Sequence, residues 1–474
     1  MTRAIRLVLA AIVCAGAPAA AQNAVPDSAL RQIDAVFSHY TPETPGCALG
    51  VFENGRIVLE KGYGSANIEY GVPFTPTTPT IMGSVSKQFT AAAIALLAEQ
   101  GRISLDDDVR KYVPELPDYG KRVTIDELVH HTSGIRDFWA LVEAAGMRFD
   151  DGYSVGDVLS LAARQRHLNF DPGTEYAYSN TGYVLLGVIV QRVTGKSLRE
   201  FANEQIFQPL GMRASHYHDD HNQPVRGRAS AYSPVAGGGW RINVWNNDIV
   251  GQGGLMTTVE DLQKWDENFY TGRVGGASFL ARQLTRGRLS SGKELAYAFG
   301  LEIGEYRGLP MVEHAGSTGG YRTVITRFPA QHTTLVALCN VSSADAPGMA
   351  HRVADVLLAG TFTKPAPTPL ARQAAQKTAA TVPLTPSELS ALAGSYYSDE
   401  LDATYELTVS GSNLLVRRPR APVDTLQASG RRTVRGSGYT LRFAAASPGG
   451  GGSPSFTFDN DRARGIEFVR RPSR

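Results

Sequence analysis

The stretch IMGSVSKQFTAAAIALLAEQG, residues 81–101, is the segment from which the fold of this chain can be worked out. Its second half is rich in Ala and Leu, and Gly101 follows as a C-terminal stop, so the pattern predicts a helix over Lys87 to Gln100. The helical pattern begins at about Ser84, and residues three positions apart share a helix face. The stretch therefore predicts a hydroxyl and an amine side by side at the start of a helix.

The pairing of Ser84 with Lys87 indicates nucleophilic chemistry. A free serine is a poor nucleophile at pH 7 and needs a neighbouring base, and a lysine can serve where burial or nearby cations lower its pKa. Backbone N–H groups and the positive end of the helix dipole would lie beside such a serine. The alternative is that Ser84 caps the helix and Lys87 is a solvated residue of the first turn. Ser86 carries a competing hydroxyl, but it would face away from Lys87.

Tyr178 and Asn180 form a second candidate pair. They lie between a Pro-Gly turn and a helical pattern over residues 181–193. A phenolate held near Lys87 can act as a general base, because a nearby cation favours the ionised phenol. The carboxamide of Asn180 can hydrogen-bond Lys87 or a substrate amide. The alternative is that Tyr178 packs in the core and Asn180 caps the following helix.

A third string, His314-Ala315-Gly316, stands at the predicted start of a strand. Gly316 permits a close approach of backbone to substrate. The N–H of Ser317, together with that of Ser84, can form an oxyanion hole. The alternative for His314 is a surface residue or a hydrogen-bonded core residue.

Strand patterns occur near both ends of the first 360 residues. Cys47 to Phe52 and Arg56 to Tyr63 flank an Asn-Gly turn, and Tyr321 to Phe328 precedes a strand pattern over Thr333 to Cys339. The pattern between these two hairpins is mostly helical. One sheet built from both ends of a domain, with a helical insertion, is therefore predicted.

The sequence predicts one further detail of this region and leaves another open. Thr257 and Glu260 form a capping-box pattern at the start of a helix over Thr257 to Phe269. Cys47 and Cys339 are far apart in the chain, so their spacing leaves both a disulfide and two buried thiols open.

The two ends of the chain differ from its middle. A basic start, an apolar run from Leu7 to Ala17 and three alanines predict a secretory signal peptide over residues 1–21. Residues 363–385 read as a Pro/Ala-rich linker, and period-two patterns predict a small antiparallel β domain over 386–474. The main domain is then 25–362, and the protein is expected to be exported, either periplasmic or secreted.

Composition and spacing give no support for several kinds of partner. The 474 residues have a formal net charge of +2, which gives no electrostatic argument for nucleic acid or an anionic membrane. No apolar stretch after the signal peptide is long enough for a membrane span, so no stable membrane anchor is expected. The histidines and aspartates over residues 216–221 fit no strong metal template, and no metal or organic cofactor is expected. The oligomeric state stays open.

Three strings in this order resemble the motifs of the penicillin-recognising serine hydrolases: Ser-x-x-Lys (84–87), Tyr-x-Asn (178–180) and His-x-Gly (314–316). The second string is similar to that of the class C β-lactamase branch. This branch includes D-Ala-D-Ala carboxypeptidases, D-aminopeptidases and β-lactamase-like esterases. The likeness runs from about residue 30 to 360 and includes the His-Thr-Ser-Gly string within Leu128 to Ile135.

The resemblance implies an α/β fold of the α+β sandwich type: a β-lactamase/transpeptidase-like domain with an antiparallel central sheet and a helical insertion. The C-terminal β domain is similar to the small lipocalin-like barrels appended to some D-aminopeptidase-like members. Ser84 would be the acylated nucleophile, with Lys87 and Tyr178 sharing the general acid and base work. Asn180 would orient Lys87 and a small-molecule or peptide substrate.

The same resemblance implies that His314 and Gly316 line the cleft and that the Ser84 and Ser317 N–H groups bind the oxyanion. β-Lactamases of this class usually have lysine where His314 stands, and a histidine is mostly neutral at pH 7. A serine hydrolase of the esterase or peptidase type is therefore expected, acting on an ester, amide or D-amino-acid peptide bond. The alternatives are a class C-type β-lactamase, a D-Ala-D-Ala carboxypeptidase, or a penicillin-binding-like receptor for peptides or muropeptides without turnover.

Overall fold

The structure is a computed structural model that describes residues 25–366, 383–444 and 454–472. The predicted signal peptide, 1–21, lies outside the described residues. So does most of the predicted linker, because residues 367–382 fall outside them.

The helices of the described residues are α1 (Asp27–Phe37), α2 (Lys87–Glu99), α3 (Ile125–Val129), α4 (Phe138–Ala144), α5 (Val155–Ala163), α6 (Asn180–Thr194), α7 (Leu198–Ala202), α8 (Gln208–Leu210), α9 (Val259–Thr271), α10 (Gly276–Gln283), α11 (Ala346–Leu357) and α12 (Pro386–Leu392). Short 3-10 helices are formed at Gly83–Ser86, Val109–Lys111 and Pro329–Gln331, and one π-helical turn at Asn203–Phe207.

The strands before the linker are β1 (Cys47–Glu53), β2 (Arg56–Tyr63), β3 (Ser65–Asn67), β4 (Val72–Pro73), β5 (Thr80–Ile81), β6 (His216–Tyr217), β7 (Tyr232–Pro234), β8 (Trp240–Ile242), β9 (Leu255–Thr257), β10 (Glu302–Tyr306), β11 (Leu309–Thr318), β12 (Tyr321–Phe328) and β13 (Thr333–Cys339). The strands after it are β14 (Gly394–Ser398), β15 (Ala403–Ser410), β16 (Asn413–Arg417), β17 (Asp424–Gly430), β18 (Thr433–Gly436), β19 (Tyr439–Phe443), β20 (Ser455–Asp459) and β21 (Ile466–Arg470).

The central sheet joins the two ends of the main domain, as predicted. Its order is β10-β11-β12-β13-β1-β2, and the pairs are antiparallel. The first hairpin turns at Asn54 and Gly55, whose φ angles of 49° and 74° are the positive values that this turn requires. The prediction of one antiparallel sheet with a helical insertion is therefore confirmed.

Helices cover both faces of this sheet, which is why β13 is buried along its whole length and β1 from Cys47 to Phe52. Leu49 and Val51 of β1 share one hydrophobic cluster with residues of α1 and α11. Ala48 and Phe52 point to the other face and pack in the cluster that contains α2 and α9. The period of two in β1 thus divides the core into two layers.

One boundary prediction is wrong. Helix α9 begins at Val259, and the residue that caps it is Thr258, whose side chain accepts a hydrogen bond from the N–H of Asp261. Thr257 cannot cap the helix, because it is the last residue of β9 and pairs with Thr80. Its hydroxyl is also 2.6 Å from that of Ser215.

The C-terminal strands form a closed barrel in which β14 to β21 follow one another in chain order. The barrel closes where Tyr396 of β14 pairs with Arg470 of β21. Aromatic side chains fill its interior, among them Tyr405, Phe456 and Phe468. The predicted small antiparallel β domain is therefore present, as a closed barrel with a packed core.

The structure joins Cys47 to Cys339 in a disulfide, with their Cα atoms 4.0 Å apart. The two residues stand directly opposite each other on neighbouring strands β1 and β13. Among the helices of the described residues, none has both the length and the apolar character needed to cross a bilayer.

Candidate active site

Ser84 lies in the 3-10 turn that leads into α2. Ser86 braces this turn, because its hydroxyl donates to the carbonyl of Gly83 (2.6 Å) and accepts from the N–H of Leu255 (3.1 Å). No side-chain capping bond is made at the start of the turn or of α2. The alternative in which Ser84 is a helix cap is therefore wrong, and its hydroxyl is free for another role.

Lys87 is completely buried, so the alternative of a solvated lysine is wrong as well. Its Nζ lies 3.1 Å from Ser84 Oγ, 2.8 Å from Asn180 Oδ1 and 2.7 Å from the carbonyl oxygen of Gln252. Burial lowers the pKa of the Lys87 amine far below its usual value, because the charged form loses its hydration. Burial thereby favours the neutral form of the amine.

Tyr178 lies on the loop before α6, as predicted from the sequence. Its ring is flanked by two basic groups: Lys87 Nζ is 4.7 Å and Arg462 Cζ 5.0 Å from the ring centroid. Loss of hydration raises the pKa of the Tyr178 phenol well above its usual value, against a smaller lowering by its hydrogen bond with Ser84. The phenol is therefore protonated at neutral pH and can donate a proton.

Asn180 is the first residue of α6, and the residue that caps the helix is Ser179, whose hydroxyl accepts from the N–H of Gly182. The alternative in which Asn180 is the cap is therefore wrong. Its amide instead bridges two groups, since Oδ1 accepts from Lys87 and Nδ2 donates to Asp137 Oδ2 (2.8 Å).

His314 lies in the middle of β11, so the prediction that it stands at the start of a strand is wrong. The side chain is buried, with Nε2 3.0 Å from the Tyr297 hydroxyl and Nδ1 2.7 Å from the carbonyl oxygen of Ala315. Burial, reinforced by the charge of Lys87, lowers the pKa of His314 to about 4. The ring is therefore neutral at pH 7, with Nδ1–H donating to the carbonyl and Nε2 accepting from the phenol.

Gly316 and Ser317 follow on the same strand. A Cβ atom at Gly316 would overlap the carbonyl oxygen of Met82, and one at Gly83 would lie 2.8 Å from the backbone N of Ser317. The strand and the Ser84 turn are thus in backbone contact, which only glycine permits. The N–H of Ser317 is in this way brought beside the Ser84 turn.

The structure thus brings the predicted residues of all three strings together, and it adds three groups that sequence reasoning missed. The carbonyl of Gln252 and the carboxylate of Asp137 both face the Lys87–Asn180 pair. Asp137 follows the His-Thr-Ser-Gly string by three residues, which could have drawn attention to it. No sequence pattern pointed to Arg462 as a site residue, because it belongs to the turn between β20 and β21 of the barrel.

Within the described part of the chain, Asp220, His221 and Asp248 form a group that could hold a metal ion, with potential ligand atoms within 4.8 Å of one another. His221 Nδ1 is already 2.9 Å from Asp248 Oδ1, and all three side chains are at least partly exposed. This arrangement is that of a surface hydrogen bond with a neighbouring carboxylate.

Comparison with known proteins extends these observations. The model of the family described as Beta-lactamase matches residues 31–358. The chain is 29% identical over 300 residues to the D-aminopeptidase of Gluconobacter oxydans (strain 621H), covering 63% of this chain and 56% of that protein. It is 29% identical over 308 residues to Penicillin-binding protein 4* of Bacillus subtilis (strain 168), covering 61% and 66%. The match thus spans little more than half the length of the D-aminopeptidase.

Two solved structures show the same fold. The octameric penicillin-binding protein homologue from Pyrococcus abyssi superposes with a TM-score of 0.63 at 24% identity, over 94% of this chain and 98% of that one. The D-amino acid amidase from Ochrobactrum anthropi SV3, complexed with L-phenylalanine, gives a TM-score of 0.60 at 19% identity, over 70% and 99%.

Proposed function

Because the chain belongs to the Beta-lactamase family, whose model matches residues 31–358, we propose that it is an exported serine hydrolase. It acts on an ester, amide or D-amino-acid peptide bond through an acyl-enzyme on Ser84. The observation that carries the proposal is the 3.1 Å contact between Ser84 Oγ and the buried amine of Lys87.

The hydrogen bonds of Lys87 suit it to the role of base. A neutral amine has two hydrogens and one lone pair, and the two carbonyl oxygens of Asn180 and Gln252 accept the two hydrogens. The lone pair is then left for the hydroxyl hydrogen of Ser84. As Ser84 Oγ bonds to the substrate carbonyl carbon, its proton passes to Lys87, and the carbonyl oxygen becomes an oxyanion.

The remaining predicted residues complete the reaction. The N–H groups of Ser84 and Ser317 bind the oxyanion, with Gly316 keeping the strand close to the turn. Tyr178 donates its phenolic proton to the leaving group as the carbon–heteroatom bond breaks, and the proton held on Lys87 replaces it. Water then attacks the acyl carbon and gives one proton to Lys87. As the bond between that carbon and Ser84 Oγ breaks, Lys87 passes the proton to Ser84 Oγ, and the acid is released.

The neutral His314 favours an esterase or peptidase over a β-lactamase. His314 is neutral, so it supplies no fixed cation for the carboxylate of a β-lactam. The barrel instead brings Arg462 to the site, exposed, and with no carboxylate partner among the described residues. A peptide with a free carboxylate, the substrate type of a D-Ala-D-Ala carboxypeptidase, is the second candidate that this arginine supports.

The first prediction concerns Ser84. A fluorophosphonate probe should label the full-length mature protein at Ser84, as mapped by mass spectrometry, and Ser84→Ala should abolish labelling and turnover with little change in the thermal melt. Ser291→Ala, a change at an exposed serine, is the control and should label normally. Absence of label on Ser84 in the unmodified protein would show that Ser84 is not the nucleophile.

Substrate classes are separated by assaying esters, D-amino-acid amides and a cephalosporin side by side. Rapid cephalosporin turnover would contradict the argument from His314, whereas labelling without turnover of any substrate would favour the receptor. Export is tested independently by fractionating cells and sequencing the mature N-terminus, which should follow Ala21.

A further inference from the structure

The barrel is joined to the main domain beside the active site, and the joint includes a buried ion pair. Arg136 Nη1 lies 2.8 Å from Glu400 Oε1, and its Nη2 donates to the carbonyl of Arg464 at 2.7 Å. Arg136 is 2% exposed and Glu400 4%. Breaking a buried pair leaves an uncompensated charge, so this contact holds the segment around Arg136 firmly against the barrel.

The residue that follows Arg136 is held by the barrel too. The N–H of Asp137 donates to the carbonyl oxygen of Arg462 at 3.1 Å. The side chain of Asn169 donates to the same carbonyl at 2.9 Å, and its Oδ1 accepts from the N–H of Arg464 at 2.8 Å. The backbone of Asp137 is therefore tied to the β20–β21 turn as well as to α4, whose N-terminus it caps.

The carboxylate of Asp137 points into the active site. Its Oδ2 accepts from the backbone N–H of Asn180 (2.6 Å) and from the side-chain Nδ2 (2.8 Å). A carboxylate accepts hydrogen bonds and cannot donate them, so it forces the NH₂ side of the Asn180 amide towards itself. Oδ1 is thereby directed at Lys87 Nζ, 2.8 Å away.

We propose that Asp137 is a positioning residue of the active site, and that the barrel, through Glu400 and the β20–β21 turn, fixes Asp137 in place. Asp137 acts through Asn180, which orients the Lys87 amine towards Ser84. This inference rests on the proposed function, because the orientation of Lys87 matters only if Lys87 is the base that accepts the proton of Ser84.

Charge supports the same arrangement. The titratable and charged groups that face Lys87 from the elements packed against it are Asp137, His131, Tyr178, Tyr183, His314 and Arg462. Among the causes that shift the pKa of Lys87, burial lowers it most, Asp137 raises it and Arg462 lowers it. Asp137 thus moderates the loss of basicity that burial imposes on the amine.

The test is Asp137→Asn in the full-length mature protein, assayed on an ester that the unmodified enzyme hydrolyses. Both oxygens of the Asp137 carboxylate accept hydrogen bonds, Oδ1 from the N–H of Ala140 (3.2 Å) and Oδ2 from Asn180. The NH₂ of the new amide has to replace one of these acceptors, and where it faces Asn180 the Asn180 amide should turn and Lys87 should lose its alignment. We expect kcat to fall by about 10- to 100-fold with little change in KM, because a small misplacement of a reacting group slows the chemical step. The acidic limb of the kcat/KM profile should move to lower pH, because the charge that raised the pKa of Lys87 is gone.

Glu400→Gln is the second variant, and it changes no residue that touches Lys87 or Asn180. It should also lower kcat, by roughly 3- to 10-fold. The loss is smaller because, with the joint only weakened, Lys87 remains aligned with Ser84 in a substantial fraction of the molecules. Glu467→Gln, an exposed change on the same barrel, is the matched control and should leave kcat and KM unaltered. If Asp137→Asn proves too unstable to assay, Glu400→Gln decides the question alone.

Labelling of Ser84 separates this inference from the proposed function. If the unmodified protein is not labelled, the proposed function has failed. If the unmodified protein is labelled and both variants react at its rate, with unshifted pH profiles, the positioning role is wrong and the function stands. Variants that are only less heat-stable, with unchanged kcat at a temperature where they are folded, would also overturn it.

Discussion

Arg462, a residue of the barrel, changes the charge and the pKa values at the candidate active site. Its guanidinium lies over the ring of Tyr178, and its charge lowers the pKa of Lys87 and of the buried His131. His314, in contrast, has both ring nitrogens engaged and carries no charge at pH 7. The cation that a carboxylate-bearing substrate would meet is therefore provided by another domain.

Arg462→Ala is accordingly expected to raise KM for substrates with a free carboxylate by about tenfold or more, since a hydrogen bond to a charged group is worth about 1.5–3 kcal/mol. KM for neutral esters should stay nearly constant. The acidic limb of the pH profile should move to higher pH, because a charge that lowered the pKa of Lys87 has been removed. Arg435→Ala, at an exposed barrel position, is the control for both measurements. Equal effects on charged and neutral substrates would contradict the assignment.

At the scale of elements, the site depends on how closely β11 approaches the Ser84 turn. Thr323 of the neighbouring strand donates its hydroxyl hydrogen to the carbonyl of Met82 at 2.7 Å, which ties the sheet to that turn. Gly316 leaves the space that this contact needs.

Gly316→Ala should push β11 away from the turn and displace the N–H of Ser317. We expect kcat/KM to fall by about 100-fold, and the free energy of unfolding to fall by about 1–3 kcal/mol from overpacking. Gly304→Ala is the matched control, because it lies in the adjacent strand β10 and no atom comes within 4 Å of the added Cβ. Kinetics together with thermal melts of both variants test this, and similar losses in the two would show that the effect is not specific to Gly316.

At the scale of the whole molecule, the disulfide joins residues 292 positions apart in the chain. A bond of this kind restricts the unfolded chain over most of the main domain. Both cysteines are fully buried, so reductant reaches them only when the structure opens.

Removal of this bond in the Cys47→Ser/Cys339→Ser double variant should lower the free energy of unfolding by about 2–4 kcal/mol. Turnover at 25 °C should be unaffected, because the bond lies between β1 and β13 and touches none of the proposed catalytic groups. Melts with and without dithiothreitol provide the check, since reductant should destabilise the unmodified protein and leave the double variant unaltered. An unmodified protein that is indifferent to reductant would show that the cysteines are not bonded.

Much of the fold could be predicted from local patterns. Alternation and an Asn-Gly turn indicated β1 and β2, and an Ala/Leu-rich run ended by glycine indicated α2, because these signals act over a few residues. The start of α9 was misplaced by one residue, since Thr257 and Thr258 look equivalent until pairing with Thr80 makes the first a strand residue. The sequence left open whether His314 is a surface or a core residue, because its burial depends on Tyr297 and the surrounding core.

The sequence by itself determined the order and chemistry of the candidate groups, because Ser84 and Lys87 are one helical turn apart and Tyr178 and Asn180 share one loop–helix junction. Only the tertiary structure decided the state of those groups. The pKa of Lys87 is set by burial, by the carboxylate of Asp137 and by the guanidinium of Arg462. The amine is oriented by the carbonyl of Gln252 and, through Asn180, by Asp137. These groups come from distant parts of the chain. Electrostatic interactions act through space and depend on burial, so no local pattern specifies them.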